Sequence, residues 1–511
     1  MKVVNLFITI ILSSIIIVLT TVSCGEEFLN LEPVQQLTEA SFFKTESDAN
    51  AALSAAYDML QKYGGFENEY ITKLEWLPVG DMRMEESPAD RAIEGLEWDA
   101  GNDRFSAVWN VHYTGIARAN TVIDRIDNVD AEEEVKTRIE AQAKFLRALF
   151  YFSLARNFGD VPLILDEPTA ETNFNVSRTP VDQVWEQVEL DLRDAIDDLP
   201  VTWDAANLGR AKKSSAMALL AKAHLYQSDW PAVITDSEEL IDLNIHDLED
   251  DYRDAFRKEN EHNEEDVFSV QYRDTNTGGW GEGRDGHFLP ARSAPRGVGP
   301  QFAPFGGWSN WVPTQQWVDA VETNEEGEII DDRYYGMIIG FGEKHPDLDF
   351  TMPDTLNSGF SSTGYILTKW WFGANPNNSE YSGQNVPVIR YAEVLLNYAE
   401  ALNEVDRKDD AIDAINEVRA RAGLAPLSDD LTKEEVLDAI FHERRIELFW
   451  EQSFFSDLNR RGRFLEFIEE NRPDYSELPV DASYLQQNPI LFPIPLNEID
   501  NNPEMTQNTG Y

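Results

Sequence analysis

Apolar residues return every three to four positions through most of this chain. The segments that keep that spacing predict helices over residues 47–62, 106–126, 138–158, 181–199, 214–227, 230–242, 391–403, 409–422 and 433–452. In 106–126 the pattern sets Trp109, Tyr113, Ile116, Ala119 and Ile123 on one face. Ser47-Asp48 reads as the cap of the first helix, and Thr432-x-x-Glu435 as a capping box for the last. The helix over 138–158 is closed by Gly159-Asp160 and Pro162. Residues 66–105 show no sustained period and read as an irregular polar segment, with Trp76, Asp81, Arg83, Trp98 and Asn102 inside it. Residues 267–273, VFSVQYR, alternate as a strand does.

Two helix pairs, 214–227 with 230–242 and 391–403 with 409–422, mix Ala and Leu with larger residues, so that two backbones can approach closely. Units of this kind resemble tetratricopeptide repeats, and 138–199 has the length for another with a longer connection. One pair cannot bury its own apolar face, so the pairs must stack. The expected fold is mostly all-α, with tetratricopeptide-like pairs as a scaffold and a loop-rich insertion at 268–388 as the ligand-binding part. The expected divisions are a signal peptide at 1–23, an N-terminal helical region at 24–267, the insertion, and a C-terminal region at 389–511 with a pair, a helix and an extended tail.

Within the insertion, residues 278–317 carry Trp280, Phe288, Phe302, Phe305, Trp308, Trp311 and Trp317 among nine glycines and five prolines. That Gly and Pro density forbids a long helix or central strand. The aromatic content argues against disorder, since disordered segments are poor in rings. Indole faces match the C–H faces of sugar rings, because an apolar face with partly positive hydrogens meets a π-cloud. The competing reading is a small core beneath the loop, which is the commoner fate of any single Trp.

The formal charge of −51 on 511 residues excludes nucleic acid as a partner, because phosphates would be repelled, and disfavours polyanionic ligands. The single cysteine, Cys24, follows a basic start at Lys2, an apolar run and a small-residue stretch, the layout of a secretory signal. A cysteine at that junction resembles a bacterial lipoprotein box, with Thr21 in place of the usual Leu; the run is also long enough for an uncleaved anchor. A lipid on Cys24 would tether the chain durably, and Glu26-Glu27 just after it resemble a signal for the outer leaflet of an outer membrane.

Catalytic and cofactor patterns are poor. Gly281-x-Gly283-x-x-Gly286 lacks a preceding strand, and Pro290 blocks the helix that a dinucleotide fold needs after it. His442-Glu443 has no second histidine at zincin spacing, so no metal site, cofactor or enzymatic activity is expected.

Several motifs together resemble the SusD/RagB (SusD-like) family of outer-membrane lipoproteins. They are Phe28-Leu29-Asn30-Leu31-Glu32-Pro33, Arg147-Ala148-x-x-Tyr151-Phe152 with Gly159-Asp160-Val161-Pro162, Arg390-Tyr391-Ala392-Glu393, Glu443-Arg444-Arg445-x-Glu447-Leu448 and Asn501-Asn502-Pro503. The resemblance implies a helical, surface-exposed lipoprotein that covers the mouth of a SusC-type TonB-dependent transporter. It further implies a poly- or oligosaccharide ligand, held without cleavage and handed on. Position and chemistry then single out Trp280, Trp308 and Trp311 as stacking rings, with Asp81, Arg83, Trp98 and Asn102 as further contacts. A neutral glucan fits the acidic surface; starch-like and laminarin-like β-1,3-linked chains are both helical and suit a curved set of rings, with the β-glucan preferred if the rings form an arc. Uptake of peptides or other nutrients through Arg284, Arg292 and Arg296, and a surface glycoside hydrolase, are the alternatives.

Overall fold

The computed structural model describes residues 43–66, 69–84, 87–169, 172, 175–273, 285–296, 307–346, 350–353, 361–371 and 382–511. In chain order the elements are α1 (Glu46–Tyr57), α2 (Tyr70–Trp76), β1 (Met82–Met84), α3 (Pro88–Glu94), α4 (Asp103–Arg125), α5 (Glu133–Phe158), α6 (Val181–Asp198), α7 (Lys213–Tyr226) and α8 (Trp230–Asp242). Next come β2 (Asp266–Val270), α9 (Leu289–Ser293), β3 (Trp311–Pro313), α10 (Gln315–Val318), α11 (Tyr334–Met337), β4 (Ile338–Gly340), β5 (Tyr365–Leu367) and β6 (Val386–Arg390). The chain closes with α12 (Tyr391–Glu404), α13 (Lys408–Arg421), α14 (Lys433–Glu447), α15 (Phe454–Arg460), α16 (Phe464–Asn471) and α17 (Leu496–Asn501). The fold is therefore mostly α-helical, with only two-stranded sheets among the described residues.

Successive long helices pack on one another: α1 on α4, α4 on α5, α5 on α6, α6 on α7 and α7 on α8. α8 then lies against α12, which packs on α13 and α14. The two tetratricopeptide-like pairs thus stack directly, although the whole insertion separates them along the chain. Pairing of β2 with β6, antiparallel, closes the base of that insertion. Close packing explains the small residues: a Cβ added at Gly115 of α4 would lie 2.3 Å from the Phe150 ring of α5.

Helix ends follow local chemistry more than periodicity. Thr45, not Ser47-Asp48, caps α1: its hydroxyl accepts from the Asp48 N–H at 3.2 Å while the Asp48 carboxylate accepts from the Thr45 N–H at 2.9 Å. α5 begins at Glu133, five residues before the expected start at 138, and Glu133 and Glu134 suit the positive end of a helix. α14 starts at the expected Thr432 box but stops at Glu447, five residues early. Trp450 there takes a left-handed φ of 60°.

The early segment 66–105 is not irregular. It forms α2, β1 and α3, and β1 pairs antiparallel with β3 of the insertion, Arg83 opposite Val312. Two stretches far apart in sequence thereby become one surface.

Candidate functional site

That surface is built on two supports. Ser87 accepts from the Ala89 N–H to start α3, which fixes Asp90. Asn102 caps α4 by accepting from the Arg104 N–H at 3.0 Å, which fixes Arg104 beside it. From the insertion, α9 carries Arg292, and the turn after it is laid back on the helix: the Trp308 N–H donates to the Ala291 carbonyl at 2.8 Å, Ser309 to Ala294 at 2.9 Å and Asn310 to Arg292 at 2.9 Å. The turn needs glycine at 307, where φ is 63° and a Cβ would lie 2.3 Å from the Pro295 carbonyl oxygen.

Three rings here are half-buried: Tyr63, Tyr70 and Trp308. Tyr63 and Tyr70 stack at 5.8 Å with 22° between planes, and Trp308 is backed by buried Phe288 at 5.5 Å. A chain of ion pairs links the supports. Arg292 Nη2 lies 3.0 Å from Glu69, Lys73 reaches Glu69 at 3.3 Å and Asp90 at 3.2 Å, and Arg104 Nε donates to Asp90 at 2.6 Å. The Arg104 guanidinium covers the Tyr70 ring at 4.3 Å, and Arg292 lies 5.7 Å from the Trp308 ring and 5.6 Å from that of Trp311. Burial alone would raise the Asp90 carboxyl, but the Arg104 hydrogen bond and the Lys73 charge outweigh it and hold it below its ordinary value. Burial pushes the Tyr70 phenol up to about 12, so it stays a neutral donor. Neutral hydroxyl donors, paired carboxylates and flat rings can hold a polyhydroxylated ligand; they include no nucleophile–base pair.

The residues expected to contact ligand divide three ways. Trp308 is in this face. Trp280 and the lipidation residue Cys24 lie outside the described residues, as does Arg284. The others are corrected by where the chain puts them. Trp311 is fully enclosed against Trp450 at 5.2 Å, so no sugar can lie on its ring. Trp98 is 2% exposed, donates to the Tyr511 hydroxyl at 2.7 Å and packs on Tyr484 and Phe492. Asp81 is enclosed and accepts a two-pronged pair from Arg445 at 2.8 and 2.7 Å, tying α14 to the start of β1. Asn102 is buried as the α4 cap, its amide donating to the Ala89 carbonyl at 3.0 Å. Arg83 alone of the early set points outward, 55% exposed and 3.3 Å from Glu94. Glu69, Lys73, Asp90, Arg104 and the two tyrosines were not singled out from sequence; the Tyr63…Tyr70 spacing around Gly64-Gly65 was the available signal.

Two competing sites are weaker. Glu322, His442 and Glu443 bring ligand atoms within 4.8 Å of one another. Arg419 already bridges both carboxylates, and Arg333 takes the second oxygen of Glu443 at 3.0 Å, so these acids are spent on guanidinium groups. A cleft of about 540 Å³ lies along α4, but its Trp109 is 3% exposed and its Tyr113 hydroxyl is already bound to the Pro162 carbonyl, so it offers no indole surface and one donor fewer.

Among the described residues no helix is long and apolar enough to cross a membrane. Residues 264–511 match the model of the SusD family, and residues 27–225 match one described as starch-binding associating with outer membrane. SusD-like protein P25 of Formosa agariphila is 27% identical, over 96% of this chain and 98% of its own. Among solved structures, a laminarin-binding SusD-like protein is 28% identical, with a TM-score of 0.74, 92% of this chain covered and 100% of that one. Surface glycan-binding protein A of Bacteroides thetaiotaomicron, solved in complex with laminarihexaose, shares the fold at a TM-score of 0.74 and 24% identity, over 92% of this chain and 100% of its own. With family models matched over residues 27–225 and 264–511 and relatives aligned nearly end to end, the chain belongs to the SusD family.

Proposed function

We propose that this protein is a cell-surface glycan-binding lipoprotein, lipid-anchored through Cys24, that captures a poly- or oligosaccharide on the face around Trp308 and releases it to a SusC-type TonB-dependent transporter. The observation that carries the reading is the half-buried Trp308 ring, backed by Phe288 and lying beside Arg292, whose ion pair with Glu69 leads on to Tyr70. A half-buried indole held by a second ring is suited to stacking on a sugar, and its charged neighbours supply donors and acceptors for hydroxyl groups. Stacking worth about 1 kcal/mol for each ring beyond area burial gives affinities of roughly tens of micromolar, weak enough for transfer. No step of this function breaks a bond.

A neutral glucan fits best. The chain carries a formal charge of −51, and the Arg292 guanidinium in the face is engaged by Glu69, which weighs against a carboxylate-bearing peptide or uronate as ligand. A relative named for laminarin binding supports a β-1,3-glucan within that class. Affinity electrophoresis on laminarin, starch and a sulfated glycan, with Trp308→Ala beside wild type, tests the reading. Retardation on laminarin that Trp308→Ala loses is the expected result; wild type unretarded on every polysaccharide would refute it. Co-purification with a large β-barrel from detergent-solubilised outer membranes tests the transporter separately.

A further inference from the structure

Buried asparagines in this fold are paired. Asn120 donates to the Ile164 and Asp166 carbonyls, Asn397 accepts from Arg444, Asn459 both donates to and accepts from Ile490, and Asn508 donates to the Phe158 and Phe492 carbonyls. Asn157 and Asn403 leave only the oxygen without a partner, their nitrogens being bound. Asn310 differs. It has no exposed surface, and neither its Oδ1 nor its Nδ2 has a hydrogen-bond partner. An enclosed carboxamide with both ends unmade is costly, since it has given up water and gained nothing.

Its position makes the exception informative. Asn310 sits two residues after Trp308, in the turn locked by Gly307 and by the left-handed Ser309 at φ 45°. Its N–H is held by the carbonyl of Arg292, the residue whose guanidinium lies between the Trp308 and Trp311 rings. The backbone is therefore fixed, while the side chain has no bond to break when it turns. A carboxamide offers a donor and an acceptor side by side, the complement of a hydroxyl pair on a sugar ring.

Resting on the glycan-binding reading above, we infer that Asn310 is a specificity-determining residue of the site: its carboxamide turns to the saccharide stacked on Trp308, Nδ2 donating to one sugar oxygen and Oδ1 accepting from a neighbouring hydroxyl. The free protein holds the amide unpaired, and the ligand supplies both missing bonds. A sugar with one of those hydroxyls removed or inverted leaves the amide unpaired in the complex as well, so discrimination comes from this residue more than from the ring, which accepts any flat apolar face.

Calorimetry with laminarihexaose on wild type, Trp308→Ala and Asn310→Leu tests this. Asn310→Leu replaces both unpaired atoms with apolar ones of similar shape. The expected result is binding weakened tenfold or more, with a thermal midpoint equal to or above wild type. Asn310→Leu that binds within twofold of wild type, while Trp308→Ala loses binding, overturns this inference alone. Wild type that binds neither laminarihexaose nor any other glucan overturns it together with the glycan reading. Should Asn310→Leu not fold, wild type labelled with ¹⁵N-asparagine decides. The Asn310 side-chain NH₂ resonance, assigned by its absence in Asn310→Ser, should move on titration with laminarihexaose; a resonance that stays still while others shift refutes the assignment.

Discussion

Two charge networks in this molecule look alike on paper and do different things. The first lies where α14 meets β2, β6 and α13. Arg390 donates to Glu447 at 2.8 Å and to Glu451 at 2.7 and 3.0 Å and also pairs with Glu265; Arg421 joins Glu265 to Glu447; Arg333 spans Asp331, Glu443 and Glu447. Lys369 adds a bond to Glu451 at 2.7 Å and one to the Phe449 carbonyl at 2.6 Å. Burial alone would raise the Glu447 carboxyl, but Arg421, Arg390 and Arg333 drive it far below its ordinary value. Burial pushes the Lys369 ammonium down to about 8. The second network is the Arg292–Glu69–Lys73–Asp90–Arg104 chain. In the first, the cations are closed in by carboxylates, carbonyls and buried rings: Lys369 lies 4.5 Å and Arg390 5.1 Å from the Phe256 ring, and Arg421 5.2 Å from that of Tyr252. In the second, ions lie against half-buried rings, Arg104 over Tyr70 and Arg292 beside Trp308. The same pairing chemistry makes a joint where the rings it touches are buried and a face where Tyr63, Tyr70 and Trp308 are half-buried.

The sharpest way to break this comparison is Arg390→Met. It leaves Glu265, Glu447 and Glu451 short of a cation in a water-free place, and breaking a buried pair costs about 3–5 kcal/mol. Thermal unfolding should show a large drop in midpoint, while the protein that remains folded binds glycan as wild type does. A loss of affinity with the midpoint unchanged would merge the two networks into one.

Trp308→Ala is the converse. Losing one stacking ring costs about 1–2 kcal/mol of binding, roughly tenfold or somewhat more, with a much smaller change in midpoint. Calorimetry against laminarin beside a melting curve separates the two quantities.

A third network sharpens the separation through pH. Burial would lower the His224 imidazole, but Asp236 at 2.6 Å and Glu189 at 3.5 Å outweigh it and raise it to about 9, against Arg193 at 3.4 Å, which opposes the charge. A group raised in the folded state contributes stability in full below its ordinary value near 6.5 and loses it as pH rises through about 9. The midpoint should therefore fall between those values by an amount on the order of 1–3 kcal/mol of stability, and His224→Gln should flatten that slope. Glycan affinity should not follow it, since His224 belongs to the α6–α7–α8 joint; affinity that tracked this titration would couple scaffold to site.

The smallest effect belongs to Arg83→Ala. Its pair with Glu94 is solvent-exposed and worth under about 0.5 kcal/mol. Binding by electrophoresis should shift by less than threefold, and a larger shift would extend the binding face toward β1.

Helix identity was legible because the period of apolar residues survives any tertiary arrangement: α6, α7, α8, α12 and α13 end within a residue or so of expectation. Ends governed by capping were missed where a better cap stood nearby, as Thr45 did. The family motif Glu443-Arg444-Arg445-x-Glu447 was readable as scaffold, and its side chains fill the buried joint. The site was legible only in outline. Trp308, Trp311 and Trp98 carry the same chemistry in sequence, yet of the three only Trp308, in the Gly307–Ser309 turn, is half-buried, while β3 holds Trp311 inward against Trp450. Tyr63 and Tyr70 gave no signal alone; they matter because α2 brings them beside Glu69.

By itself the amino-acid order determined which stretches coil and which small residues let them stack, because both depend on local pattern. Only the tertiary structure decided which tryptophan stays half-buried, which aspartate is a clamp and which asparagine is left without a partner, because exposure and pairing are set by whatever the folded chain lays over each side chain.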